Sequence, residues 1–388
     1  MAARFDDPGE AMEVVELLAS EIGPRRPTSP EEFSAALALA GRLRGADVQV
    51  DLEPFSGHAS FGYPFGAIIA TAIAPALLPR RLRRARSALA LAAAAGLVLE
   101  GSLTHTPLSD AIARRKSQNL VATLEPSGSP KRTLCLMAHM DTSRSGLIFH
   151  PALVGFLGRW ITLNSVLTLA LAACETVAAG RKWSRVPLTA GRAILAAGLS
   201  LLIERELRGS DVPGANDNAS GSAVALTLMA RSAAKPPAGT RLVLVITGCE
   251  ESGTLGSRAF LDSHKTEGWL FLNFDNVGGG GTLRYLRREG VITHWDADEG
   301  LVRVAEAVAR RRPELRMDAK DHPAGLTYDT SPVQARGGRA LTLSIQDGSI
   351  PNLHRMTDTF GNVDPAGLGR TLTAGAEMIA AIDRGEAD

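Results

Sequence analysis

Residues 241–251 read Arg-Leu-Val-Leu-Val-Ile-Thr-Gly-Cys-Glu-Glu, an apolar, β-branched run that breaks at a glycine and ends on two adjacent acids. So short a run, so rich in valine and isoleucine, predicts a buried strand. Around it the pattern alternates. An Ala- and Leu-rich helix is predicted from about 219 to 232, a second helix near 255–264, and a further strand at Trp269 to Phe274. Farther out, strands are predicted at Val48 to Leu52, at Asn119 to Leu124 and Thr133 to Met137 around a Glu-Pro-Ser-Gly-Ser-Pro turn, and at Ala340 to Ile345. Helices are predicted over 9–21, over 30–44 with Ser29-Pro30 as cap and first turn, and near 299–311, 329–336 and 364–384. This alternation specifies an α/β fold: a mixed, mostly parallel sheet flanked by helices, with ligands expected where the strands end.

The bulk numbers fit one large domain. The 388 residues suit a single catalytic domain, 1–388, carrying insertions. A formal net charge of +1 leaves no global field to gather nucleic acid, and nucleic-acid binding is not expected. Cys135, Cys174 and Cys249 lie in apolar runs without regular spacing, which argues for core packing rather than a disulfide framework. The first ten residues are too acidic and too polar for a secretory signal.

Acids and histidines collect at the predicted strand ends. His139 and Asp141 sit in Ala-His-Met-Asp, Asp217 in Gly-Ala-Asn-Asp-Asn-Ala-Ser-Gly, Glu250 and Glu251 after the quoted strand, Asp275 after Phe-Leu-Asn-Phe, and His354 in Asn-Leu-His-Arg-Met-Thr-Asp. Two imidazoles and several carboxylates suffice to hold a pair of divalent cations and to leave one carboxylate for proton transfer. Adjacent glutamates at a strand end repel each other, and a metal relieves that repulsion: one would ligate while its neighbour handles a proton. Asp217, at a sharp turn that opens a helix, can offer one oxygen to each of two cations, although Asn218 or Ser220 could make the same loop a simple helix cap. Asp141 is placed to orient His139, and Asp358 to orient His354.

In this order the motifs resemble the co-catalytic di-zinc aminopeptidase family, whose relatives include glutamate carboxypeptidase, glutaminyl cyclase and the transferrin-receptor ectodomain. The resemblance covers about residues 9–54, 118–146 and 211–384. It implies two Zn2+ per chain: His139 and Asp275 on one, Glu251 and His354 on the other, Asp217 bridging. It further implies Glu250 as general base and acid, Asp141 as the orienter of His139, and a peptide substrate for an aminopeptidase or dipeptidase. Alternative readings are a single-zinc glutaminyl cyclase and a non-catalytic, membrane-linked interaction module.

Two segments fall outside the resemblance. Residues 61–104 and 147–204 each read as two apolar runs around a basic centre, Arg80 to Arg86 in the first and Arg181 to Arg185 in the second. Each predicts a hydrophobic helical hairpin. The charge-free runs, Phe61 to Pro79, Ser87 to Leu99, Trp160 to Cys174 and Ala193 to Ile203, are mostly shorter than the roughly 20 residues that span a bilayer core. They predict membrane association, at the cell membrane, by spanning or dipping, with burial in an enlarged soluble core as the competing reading. The second hairpin falls between His139 and Asp217, where the family has a short loop, so either the site mouth faces a membrane or an internal lid is enlarged.

Overall fold

The computed structural model describes residues 5–177, 185–321 and 325–388. Its strands are β1 (Gln49–Gly57), β2 (Arg115–Leu124), β3 (Arg132–His139), β4 (Thr240–Thr247), β5 (Leu270–Phe274), β6 (Leu283–Leu286), β7 (Arg288–Glu289), β8 (Trp295–Asp296), β9 (Met317–Lys320) and β10 (Arg339–Ile345). Eight of them form one sheet in the order β1-β2-β4-β3-β5-β10-β6-β9, and β7 pairs with β8 apart from it. The centre, β4-β3-β5-β10, is parallel; β1, β2 and β6 join antiparallel. The mixed, mostly parallel sheet expected from sequence is the fold observed.

Side-chain alternation divides the sheet's two faces. Leu134, Leu136 and Ala138 of β3 and Leu242, Leu244 and Ile246 of β4 enter the larger core, whereas Cys135, Met137, Val243 and Val245 enter a smaller one on the other face. The helices in chain order are α1 (Gly9–Glu16), α2 (Pro30–Arg42), α3 (Gly62–Ile73), α4 (Arg83–Ser102), α5 (Pro107–Ile112), α6 (Pro151–Val154), α7 (Leu157–Val177), α8 (Arg185–Arg208), α9 (Ser220–Ala234), α10 (Leu255–Ser263), α11 (Glu299–Arg311), α12 (Ser331–Ala335) and α13 (Pro365–Asp383). Residues of α1, α2, α9, α11 and α13 fill the larger core, and α10 and α12 cover the smaller. Ser29 accepts the Glu32 amide at the head of α2, with Pro30 in the first turn, as the sequence predicts. Cys135 and Cys249 are buried and all three cysteines are free.

The two apolar segments pair into a bundle. α3 and α4 form the first hairpin and α7 and α8 the second, and Ile69, Ala72, Ala93, Leu171, Leu195 and Leu202 meet between them. The helices outrun the charge-free stretches. α4 has 20 residues and α7 has 21, and both are long and apolar enough to cross a membrane. The second hairpin begins later and ends later than expected, because residues 147–154 form a short 3-10 turn and α6, and α8 continues to Arg208. Glu175 of α7 takes Arg86 of α4 at 2.8 Å and also Arg192 of α8, so this buried acid of the bundle is paired. Arg80 to Arg84 of the first basic tip are exposed. Residues 181–184 of the second tip lie outside the described residues.

Candidate metal centre

The parallel strands end on one edge of the sheet, and the acids and histidines gather there. His139 is the last residue of β3, Glu250 and Glu251 follow β4, and Asp275 follows β5. Asp217 enters from the loop ahead of α9, which packs on the sheet, and His354 from the segment after β10. His139 Nε2 lies 3.4 Å from Asp217 Oδ1, 3.4 Å from Asp275 Oδ2 and 3.9 Å from Glu250 Oε2. His354 Nε2 lies 3.2 Å from Asp217 Oδ2 and 2.9 Å from Glu251 Oε1. The two carboxylate oxygens of Asp217 thus face different imidazoles. His139, Asp217 and Asp275 form one group, and Asp217, Glu251 and His354 another, with the ligand atoms of each within 4.8 Å of one another.

Local backbone explains how neighbours in sequence come to face different partners. Cys249 adopts a left-handed φ of 56°, which turns the chain sharply after β4. The amides of Glu250 and Glu251 both donate to the Asp141 carboxylate, at 3.0 Å each, and splay the two side chains. Asp141 also has a second task beside His139. It lies beyond the end of β3, and His139 Nδ1 is 3.1 Å from its main-chain oxygen and 3.7 Å from its carboxylate, so the carbonyl holds the imidazole while the carboxylate holds the Glu250–Glu251 turn. Asp358 likewise serves a different loop. Its oxygens accept the amides of Asn216 and Asp217 at 2.7 and 3.0 Å, whereas His354 Nδ1 has no hydrogen-bond partner and its ring stands edge-on to Phe149 at 4.3 Å.

The Gly-Ala-Asn-Asp-Asn-Ala-Ser-Gly loop is stitched to the end of β5. Asn218 Nδ2 donates to the Phe274 carbonyl, and Asn218 Oδ1 accepts the amides of Gly221 and Asn276. The capping role that the sequence allows for Asn218 thus coexists with the presentation of Asp217.

Three buried residues of this scaffold have roles that the sequence reading leaves unassigned. Arg25 donates to the carbonyls of Leu18, Gly23, Met140, Pro213 and Gly214, tying the segment after β3 to the loop before Asp217. Asp329 takes the Thr247 hydroxyl at 2.6 Å. Glu32 takes the Cys249 amide and the Ser117 hydroxyl, each at 2.9 Å. Only Glu32 carries a signal, since Ser29-x-x-Glu32 has the spacing of a capping box.

The electrostatics ask for positive charge. Burial pushes the carboxyls of Glu250 and Asp275 up, and neighbouring carboxylates push them further, against the pull of His139. Burial opposes charge on the imidazoles too, but Asp141, Asp217 and Asp275 outweigh it at His139, and Glu251 and Asp217 raise His354 to about 9. Asp217 is held low by the two imidazoles despite its burial. Among the described residues no lysine or arginine pairs with Asp217, Glu250, Glu251 or Asp275. Among the described residues Glu251 Oε1 has His354 Nε2 as its close neighbour, at 2.9 Å, and His354 Nδ1 is buried without a hydrogen bond. Imidazole nitrogens and carboxylate oxygens converging in this way suit borderline divalent cations, so the donor set fits zinc.

The comparisons agree on the fold. Residues 200–379 match the family described as Peptidase family M28. A zinc aminopeptidase from Bacillus subtilis superposes with a TM-score of 0.59 at 14% identity, over 97% of this chain and 95% of that one. An aminopeptidase from Aneurinibacillus sp. strain AM-1 gives 0.57 at 13% identity, over 97% and 94%. A glutaminyl cyclase from Bacteroides thetaiotaomicron, bound to N-acetylhistamine, gives 0.55 at 15% identity, over 98% and 99%. No curated protein matches the sequence.

Proposed function

We propose, from the premise that this chain belongs to peptidase family M28 through residues 200–379 and is a metallo-exopeptidase, that it hydrolyses peptide bonds at a two-zinc centre with Glu250 as the proton carrier. His139 and Asp275 would hold one cation, Glu251 and His354 the other, and Asp217 both. The observation that carries this reading is the Asp217 carboxylate, whose Oδ1 and Oδ2 lie 3.4 and 3.2 Å from two different imidazoles. When bound, a divalent pair supplies Lewis acidity to a substrate carbonyl and lowers the pKa of water.

The chain's own residues supply the rest. Glu250 is free of hydrogen-bond commitments through its carboxylate among the described residues, lines the cavity, and lies 3.9 Å from His139. Burial and the charges of Glu251, Asp329 and Asp275 raise its proton affinity, as a group that must take a proton from water and return it to a leaving amine requires. Asp141 keeps that carboxylate aimed by fixing its backbone. We also assign the protein to a membrane through the α3–α4 and α7–α8 hairpins, on the strength of two helices long and apolar enough to cross one.

Mass-spectrometric metal analysis of the full chain, with turnover of leucine 4-nitroanilide and leucyl dipeptides, tests the centre. Two zincs per chain are expected. Glu250→Gln is expected to keep both and to lose at least on the order of 10²-fold in kcat, the usual weight of a general base. Unchanged turnover would remove Glu250 from the mechanism, and one zinc with cyclisation of N-terminal glutamine would favour the cyclase reading that the Bacteroides relative raises.

A further inference from the structure

A cavity of about 260 Å³ runs from the metal centre into the helical bundle, reaching from His139, Asp217 and Glu250 to residues deep between α3, α4, α7 and α8. Its wall follows one face of α7. Leu157, Trp160, Ile161, Asn164, Ser165 and Thr168 recur at three- and four-residue spacing and all line it, opposite Phe65 of α3, Leu97 of α4 and Leu202 of α8. From Leu157 to Thr168 the helix rises about 16 Å, longer than any amino-acid side chain. Protein interiors are close-packed, with few voids larger than a water molecule, and an apolar cavity of this size stays dry unless something apolar fills it.

What fills it is constrained by the polar groups along the wall. Ser165 Oγ donates to the Ile161 carbonyl and Thr168 Oγ1 to the Asn164 carbonyl, both within α7. Glu100 accepts the amides of Leu108 and Ser109 and the Ser109 hydroxyl. Among the described residues Asn164 Oδ1 and, also lining the cavity, Tyr328 Oη are buried without a hydrogen bond. An extended peptide would bury a row of amides with no partners, at a cost of a few kcal/mol each, whereas a hydrocarbon chain asks for none. Away from the metal centre much of the wall comes from the two inserted hairpins, and Val291, Ile292, Leu326 and Leu353 add apolar surface to it. The hairpins' outward faces are apolar as well, with Val98 and Val166 more than half exposed, so a chain partitioned in a bilayer lies beside the bundle.

We propose that the substrate is an amphiphilic amide: its scissile bond sits at the metal centre and a long aliphatic chain lies between α3, α4, α7 and α8. This rests on the hydrolytic reading above. Water adds across the C–N bond, its oxygen going to the acyl carbon and a proton to the nitrogen, so that one product, carboxylate or amine, keeps the chain.

The test uses the full-length, zinc-loaded protein in lipid nanodiscs. Leucine alkylamides with chains from butyl to dodecyl place the chain on the amine, and N-acyl-leucines of the same lengths place it on the acyl side. kcat/KM is expected to rise on the order of tenfold or more from butyl to dodecyl in one series, as burial of added methylenes requires. Ser165→Phe, which adds bulk to the cavity wall, is expected to flatten the dependence of kcat/KM on chain length; Ile161→Trp repeats the test should the first variant fail to fold. Leucine 4-nitroanilide turnover reports hydrolysis separately. Were hydrolysis absent altogether, displacement of a bound fluorescent dodecyl amide by dodecyl but not butyl competitors, lost in Ser165→Phe, would still support the cavity assignment. Rates and displacement independent of chain length, or unaltered by both variants, overturn it.

Discussion

Arg25 carries a positive charge into the protein without a carboxylate partner among the described residues. Burial lowers its pKa to about 10, against the pull of Asp358, Asp141 and Asp217. Its five carbonyl acceptors come from either side of the site, so one side chain sets the separation of the His139 and Asp217 segments. Arg25→Met removes the charge and leaves those carbonyls to find water, and unfolding free energy is expected to drop by about 3 kcal/mol, the scale of a few unsatisfied buried groups. Zinc affinity should weaken in parallel; urea melts and competition with a chelator would measure both, and an unaltered midpoint would dismiss the clamp. Nothing in the sequence around Arg25 marks this role, because burial of an arginine depends on acceptors far along the chain. Glu250 and Glu251 show a milder form of the same limit. Their adjacency was legible, but which faces His139 and which His354 depends on the turn at Cys249 and on Asp141.

At the scale of elements, the long apolar strands and the amphipathic helices were legible because periodicity is local. The short strands β6, β7, β8 and β9 were not. They have two to four residues each, mix charged and apolar side chains, and exist through pairing with partners elsewhere, such as β6 with β10 and β9. β7 shows what that pairing achieves. Its Glu289 is buried, accepts the Thr330 hydroxyl at 3.0 Å and the Ser331 hydroxyl at 2.9 Å, and so fastens the ribbon to the start of α12. Burial raises its pKa from 4.5 to about 7, although the hydroxyls hold it back. The folded state therefore binds a proton between pH 4.5 and 7 that the unfolded chain has released, and stability falls as pH rises through that window, then levels off. The full shift corresponds to about 3 kcal/mol. Glu289→Gln cannot ionise, so it should gain stability over the native protein as pH goes from 4.5 to 8; parallel denaturation curves across that range would refute the assignment.

For the whole molecule, the hairpins carry the proposed membrane association. α4 and α7 rise about 30 Å each, the thickness of a bilayer core. At the end remote from the metal centre the first tip exposes Arg80, Arg81, Arg83 and Arg84. Such a tip prefers the cytoplasmic face, which would set the sheet domain on the other side. The native protein is expected to sediment with membranes, to resist salt washing and to require detergent for release; a monodisperse species without detergent would place the bundle in a soluble core. Sequence alone determined the strand–helix alternation, the two apolar hairpins and the set of acids and histidines at strand ends, since each is a pattern of neighbours along the chain. Tertiary structure decided the rest: the union of the two hairpins into one bundle, the cavity between them, and the convergence of Asp217 on imidazoles more than a hundred residues apart. These depend on which distant surfaces bury one another, and burial between remote segments leaves no periodic mark on either.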